Sequence, residues 1–473
     1  MGKERFKNLL LIVLVIISIY ASGLLWLDLS WDFSLELEEE IKEPQQVLSI
    51  WDKIRPSKSS ITTDYQYMIY DGALNQQIWT VFVEASRDAF RYIYEEEDVV
   101  ASPHLGNNLK IHFSNPMPMD LIIEGMGIGN TRISDFVSRV EWIAYETETQ
   151  HMFVSDGRNV YRLDVSIEGH KLDELTAQAT QYAQEHYDAV FNMSESGAFI
   201  PISSSEKAWN PIFIKSEIDV EDQEAVQRIA KDYFKDSFDY VRTTIDRERT
   251  INYVYRNEKV LRLYEEGFLE FYDAMEIALD EGSSFEAFSL AIQFIEDFLG
   301  FPEDGYLSRV TPMMREGKYG YRFEFSYHLF DRPIIFSQVR EEKAIQIEVI
   351  GNRVVYYQRF IRDIDYDTGI ETEEVEVLNP RQIVEQNIDF ITELYLEDDA
   401  NGHYSFDEAK SKILESIYEI HLAYFDPSRR SRDQLIRSVW VVKTDDRSYI
   451  FNAITGTIIE EQHHEREGQN GLE

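Results

Sequence analysis

The sequence predicts an α+β protein: one N-terminal transmembrane helix, then a three-domain extracytoplasmic region whose last two domains are similar antiparallel-sheet-plus-helix units. Three observations carry this. Residues 9–27 form an uncharged apolar run. Beyond it, short runs of alternating polarity are interleaved with amphipathic helical stretches. After residue 200, the order strands, helix, aromatic-rich hairpin occurs twice.

A chain of 473 residues has room for more than one core. Its hydrophobic content of 44%, with 28 Tyr and 28 Phe, is ample for packing. Cysteine is absent, which excludes disulfides, thiol catalysis and Cys-ligated zinc. The formal charge of −41 repels phosphate backbones and excludes nucleic-acid binding. Such a surface attracts cations or basic partners, or adapts the protein to salt or alkaline surroundings.

The first element is the run LLLIVLVIISIYASGLLWL at residues 9–27, with thirteen Leu, Ile or Val. At a helical rise, nineteen residues reach roughly 28 Å, close to the hydrocarbon thickness of a bilayer. Lys3, Arg5 and Lys7 precede the run, and the next basic residue after it is Lys42. Asp28, Asp32, Glu36, Glu38, Glu39 and Glu40 lie between. Positive-inside logic places a cytoplasmic tail at 1–8 and the bulk of the chain outside the cell membrane. A cleaved signal is the rival reading, but Leu24, Leu25, Trp26 and Leu27 directly follow the small residues. Ser18, Ala21, Ser22 and Gly23 are expected to form a partner-binding face on this helix, because small residues let another helix approach closely.

Residues 28–45 read as an acidic stalk, and 46–200 as an N-terminal α+β domain. Strands are expected at IWTVFVEAS near residue 80, LKIHFSNP near 110 and HMFVSDGRNVYRLDV near 155. LDELTAQATQYAQEHYDAVF reads as a helix. The central α+β domain, 201–338, opens with a helix in VEDQEAVQRIAKDYF, followed by strands around Tyr253 and Leu263. Ser283 and Glu286 make a capping box for a helix whose apolar face is Phe285, Phe288, Ile292, Ile295 and Leu299, stopped by Gly300 and Pro302. Strands resume in YGYRFEFSYHLF and PIIFSQV.

The C-terminal α+β domain, 339–460, repeats the order. Strands in KAIQIEVIGNRVVYYQRFI precede a helix capped by Asn379, with Pro380 at its first position and Val384, Ile388, Ile391 and Tyr395 inward. A second helix starts near Phe406, and SVWVVKTDDRSYIFNAITGTII closes the unit as a hairpin. Residues 461–473 read as an acidic tail.

The sharpest chemical candidate is EDDANGHYSFDE between two predicted helices. Set against a calcium loop, Glu397, Asp399 and Asn401 fall at positions one, three and five. Gly402 falls at the turn, His403 at the backbone-carbonyl position and Glu408 at twelve. Capping explains the same letters: Asn401-Gly402 ends one helix, and Ser405 with Glu408 boxes the next. No other cofactor is expected. Asp363, Asp365 and Asp367 before Gly369 read as an acidic hairpin turn. Gly125, Gly127 and Gly129 follow the strand-like Leu121-Ile122-Ile123 but lack the later acidic residue of a dinucleotide site. His463 and His464 lack metal-ligand spacing, and neither HExxH nor GxSxG occurs. Paired carboxylates of a cell-wall hydrolase are an enzyme alternative that needs a fold to judge; the reading favours no enzyme.

Several phrases resemble the YycH family, membrane-anchored regulators of Gram-positive Firmicutes. The basic start running into LLLIVLVIISIYASGLLW resembles its anchor, and IHFSNPMPMDL a first-domain strand. LRLYEEGFLEFYD at Leu261 to Asp273 resembles its tyrosine-rich strand pair. IYEIHLAYF and VWVVKTDDRSYIFNAITG resemble its final strands. The resemblance implies three extracytoplasmic domains, the last two related to each other and to a companion, YycI. It implies a non-enzymatic, single-pass protein acting in two-component system regulation. With a YycI-like single-span partner, it would adjust a cell-wall-linked sensor histidine kinase of WalK (YycG) type through membrane-helix and extracytoplasmic contacts. An extracytoplasmic calcium sensor is the alternative.

Overall fold

The computed structural model describes residues 52–463, apart from 64–65, 94–98, 102–104, 130, 164–168, 193–198, 204–206, 275–282, 303, 316, 339–342, 367–371, 398–402, 428–430 and 446. Among the described residues no helix is long and apolar enough to cross a membrane. The run 9–27 expected to do so lies outside them, as do Ser18, Ala21, Ser22, Gly23 and the stalk.

Seven strands form the first sheet: β1 (Lys58–Thr62), β2 (Gln66–Ile69), β3 (Val99–Ala101), β4 (Asn108–Pro118), β5 (Arg139–Glu146), β6 (His151–Ser155) and β7 (Val160–Leu163). Their order is β2-β1-β4-β5-β6-β7-β3, every pair antiparallel. Helix α1 (Gly72–Arg91) includes IWTVFVEAS, where the local sequence pattern predicts a strand. The β-branched cluster misleads over nine residues. Over twenty, Leu74, Ile78, Phe82 and Ala89 recur at helical spacing with Trp79, Val83 and Phe90, and all are buried. The Asp71 carboxylate accepts from Leu74 N–H at 2.7 Å and fixes the helix start.

Leu121-Ile122-Ile123 also departs from expectation, lying in the short helix α2 (Met119–Gly125) rather than a strand. Three consecutive apolar residues imitate a strand, while the helical sign is the exposed pair Asp120 and Glu124, four residues apart. A one-turn helix, α3 (Ile133–Phe136), follows. Helix α4 (His170–His186) stops earlier than expected, because Tyr187–Asn192 becomes β8 and pairs with β9 (Phe199–Ser203). That segment mixes aromatic and β-branched residues suited to a ladder.

Next come β10 (Lys207–Asn210), β11 (Ile212–Ser216), α5 (Gln223–Phe234), β12 (Arg242–Ile245), β13 (Ile251–Tyr255), β14 (Lys259–Leu263) and β15 (Leu269–Asp273). Helix α6 (Ser284–Phe298) carries the expected capping box of Ser283 and Glu286. Phe288, Ile292 and Ile295 are buried as expected, but Leu299 is 40% exposed because the helix ends there and Gly300 takes φ +76°. Then follow β16 (Gly305–Arg315), β17 (Lys318–Leu329), β18 (Arg332–Phe336), β19 (Ile345–Ile350), β20 (Arg353–Arg359), β21 (Arg362–Ile364) and β22 (Glu373–Glu376). The chain closes with α7 (Pro380–Glu397), α8 (Phe406–Ser416), β23 (Glu419–Asp426), β24 (Asp433–Lys443), β25 (Arg447–Asn452) and β26 (Ile458–His463).

Among the described residues, fifteen of these strands share one sheet, with main path β12-β13-β14-β15-β20-β19-β17-β18-β23-β24-β11-β21. Strands therefore pair across the boundary expected at 338. β19 and β20 bond to β17 and β15, β18 runs parallel to β23, and β11 pairs with β24. The main core joins Trp79, Phe82, Ile143, Phe288, Phe323 and Tyr357. A second core packs Ile383, Val384, Ile388 and Ile391 of α7 against Trp440, Val442 and Phe451.

Removing the Ser283 cap by Ser283→Ala is expected to lower stability by about 1 kcal/mol. Phe288→Ala, which empties a wholly buried position, is expected to cost about 3–5 kcal/mol. Urea titration measures both, and similar small losses would place Phe288 outside the core.

Candidate functional site

Of the residues expected at a calcium loop, Glu397, His403 and Glu408 are described, and among the described residues no group of three or more His, Asp or Glu is placed to hold a metal. Glu397 ends α7, while Asp399 and Asn401 lie outside the described residues. His403 packs its ring on Tyr404, with centroids 3.9 Å apart. The Glu408 carboxylate accepts from Ser405 N–H at 2.9 Å and from its hydroxyl at 2.8 Å, closing the capping box of α8. Those hydrogen bonds hold its carboxyl below the ordinary range. Asp363 lies on β21, and Asp367 and Gly369 are outside the described residues. His463 ends β26, and its partner in sequence, His464, also lies outside.

The structure instead gathers titratable groups where the seven-stranded sheet meets β23, a cluster that sequence spacing does not reveal. Glu419, with a side chain only 4% exposed, opens β23. Its carboxylate accepts from Lys58 Nζ of β1 and from the Tyr70 hydroxyl at 2.9 Å. Lys443 Nζ lies 3.4 Å away and His421 Nδ1 2.9 Å away. His421 also stacks on Tyr70, at 5.5 Å between centroids. Burial alone would raise the Glu419 carboxyl, but Lys443, Lys58 and His421 outweigh it and hold it well below the usual range. Burial lowers Lys58 to about 8 against the pull of Glu419, and lowers His421 to about 4. His112 is pushed well down by burial and by Lys58 and Lys110.

Ser60 Oγ and His112 Nε2 are 2.8 Å apart, the spacing of a nucleophile and its base. Ser60 is wholly buried within the sheet, beyond the reach of a substrate, so this pair serves the packing.

Tyr70 also walls a polar cavity of about 260 Å³, with Arg55, Asn75, Asp304, His328 and Asp331 around it. Arg55 pairs with Asp304 at 3.6 Å. His328 stacks on Tyr306 at 4.7 Å and is lowered to about 4 by burial and then by Arg55. Burial, Asp71 and Asp304 raise the Asp331 carboxyl. A Cβ at Gly72 would lie 2.7 Å from Asp331 Oδ1, so a larger residue there would have to displace that carboxylate. The cavity offers hydrogen bonds and negative charge to a small cationic or polar ligand.

Comparisons place this geometry beside known proteins. No family model matches the chain, and no curated protein does. Among solved structures, the chain is similar to YycH from Bacillus subtilis at 13% identity and a TM-score of 0.49, covering 87% of this chain and 96% of that one. It is similar to an uncharacterized protein from Eubacterium rectale at 14% identity and a TM-score of 0.36, over 56% of this chain and 91% of that one. The Bacillus megaterium YpeB C-terminal domain aligns at 9% identity and a TM-score of 0.28, over 52% of this chain and 98% of that one.

Glu419→Gln leaves Lys58 and Lys443 without their shared counter-charge and is expected to cost about 3 kcal/mol at neutral pH. The Glu419 carboxyl titrates lower in the folded protein than its ordinary 4.5. Its contribution is therefore full above that value and fades as pH falls below it. The stability gap between wild type and variant, followed by thermal melts, should close on acidification. A gap independent of pH would remove the charge from the argument. Lys58 acts oppositely: the folded protein releases its proton near 8, before the unfolded chain does, so what its burial costs is relieved as pH rises above 8.

Proposed function

We propose that this chain is a non-enzymatic, membrane-anchored regulator of a sensor histidine kinase of WalK (YycG) type, acting with a YycI-like single-span partner. The observation that carries the reading is the Leu261–Asp273 phrase, the most distinctive of those resembling the YycH family. It forms the hairpin β14–β15, paired in register from Lys259↔Asp273 to Leu263↔Leu269 and built into the long sheet through β20. On this hairpin Glu270 accepts from Tyr264 at 2.5 Å and from Tyr272 at 3.4 Å. Its tyrosines and glutamate thus form a lattice across a sheet face, an arrangement suited to contact.

The second support is the uncharged run at 9–27 with Lys3, Arg5 and Lys7 before it, which sequence logic reads as an anchor. A protein without chemistry regulates a kinase by binding one signalling state better than another. A tenfold bias needs only about 1.4 kcal/mol of differential affinity. One packed helix–helix contact within the bilayer supplies energy of that order.

Ser18→Leu combined with Ser22→Leu should place bulk on the small-residue face and weaken crosslinking to the co-expressed kinase several-fold, with membrane insertion unchanged. Crosslinking equal to wild type would remove the helix-contact mechanism. Failure of the wild-type chain to co-purify with the kinase and the YycI-like partner would remove the regulatory reading itself.

A further inference from the structure

Strand β12 ends the main path of the long sheet and, among the described residues, pairs only with β13. Its four residues, Arg242 to Ile245, are all exposed. Two of the three most exposed large hydrophobic side chains among the described residues flank or end it, Tyr240 at 78% and Ile245 at 68%. An edge of β-branched residues open to solvent is a template for another strand. Proteins ordinarily blunt such edges.

The backbone direction follows from the turn. Asp246 N–H donates to the Thr250 carbonyl at 3.1 Å, so the Asp246/Thr250 pair is a hydrogen-bonded one. Alternation in an antiparallel ladder then gives the bonds to β13 to Thr244 and Arg242. The N–H and C=O groups of Thr243 and Ile245 point away from β13. These same two residues, with their cross-strand partners Tyr253 and Ile251, line a groove of about 900 Å³. Val226 of α5 and Phe238 add apolar lining. A strand added to β12 would therefore hang alternate side chains over the groove.

Charge selects the occupant. The groove is lined by three carboxylates, Glu221, Glu265 and Glu266, and two guanidinium groups, Arg249 and Arg432. Arg249 already pairs with Glu265 at 2.9 Å, and Arg432 with Asp219 and Glu221. The rim thus favours cations, on a molecule of net charge −41 that repels its own copies.

We infer that β12 and its groove form a β-addition site for an extended segment of a partner protein, in which apolar and basic residues alternate. The inference stands on the edge geometry and the charges lining the groove, and is separate from the kinase reading.

Thr243→Pro tests it cleanly. Thr243 N–H lies outside the ladder, so proline removes the outward donor without breaking a bond to β13, as edge strands tolerate. The probes are fluorescent peptides KVKVKV and EVEVEV, added to the full chain in detergent and followed by anisotropy. KVKVKV should bind at least about tenfold tighter than EVEVEV, and Thr243→Pro should weaken it at least about tenfold. Should Thr243→Pro melt with altered cooperativity, Ile245→Lys, which keeps the backbone and places a cation in the groove, should give the same loss. Equal binding of the two peptides overturns the inference. So does full KVKVKV binding by both variants, which would reduce the attraction to bulk charge. A dimer in sedimentation that Thr243→Pro dissolves would assign the edge to a second copy and overturn the choice of partner.

Discussion

Two full charges with almost no exposed surface decide how the long sheet closes. The Arg362 and Asp426 side chains are 1% and 0% exposed, and the guanidinium donates to both carboxylate oxygens. Either charge alone would be untenable there, since breaking a buried pair typically costs about 3–5 kcal/mol. The pair thus ties the start of β21 to the end of β23. Arg362 also donates to the Ser431 carbonyl at 3.1 Å, and its own carbonyl accepts from the Tyr327 hydroxyl of β17 at 3.1 Å. Three stretches far apart in sequence, around Tyr327, Arg362 and Asp426 to Ser431, are thus brought to one point. A neighbouring fork, Arg359 on Glu217 at 2.8 Å and on the Gly300 carbonyl at 2.7 Å, repeats the device at the end of α6.

The Glu419 cluster applies the same physics at the first sheet. Lys58 and Glu419 are 361 residues apart, yet their charges meet in the interior, where Lys443, Lys58 and His421 together hold Glu419 ionised. Hydrophobic burial holds each sheet together; paired charge specifies how the pieces meet. Apolar faces tolerate sliding, whereas a buried carboxylate surrounded by Lys58, Lys443 and Tyr70 tolerates very little.

Much of the local structure was legible in the sequence. Ser283 with Glu286, Asn379 with Pro380, and Ser405 with Glu408 all mark helix starts where the structure has them, because capping chemistry is local. The Leu261–Asp273 strand pair was legible only through its resemblance to a known family, the residues themselves marking one strand near Leu263. Errors fell where a short apolar run imitates a strand: Ile78 to Val83 lies in α1, whose helical spacing shows only over its full length, and Leu121-Ile122-Ile123 lies in α2. The long sheet was not legible, because pairing of β18 with β23 or of β11 with β24 leaves no trace in spacing. The Lys58–Glu419 cluster was invisible for a further reason. In a chain with 87 acidic and 46 basic residues, nothing local distinguishes the carboxylate that is buried.

The pairing of β11 with β24 also has a consequence in time. Residues Ile212–Ser216 leave the ribosome long before Asp433–Lys443, and until then β11 has β21 to pair with while its other edge stays open. Lys58 likewise waits for Glu419. In order of synthesis, the long sheet is therefore completed last by β23 and β24, which join β18 and β11. Truncation near the C-terminus should thus be felt throughout the nascent fold, far from the cut.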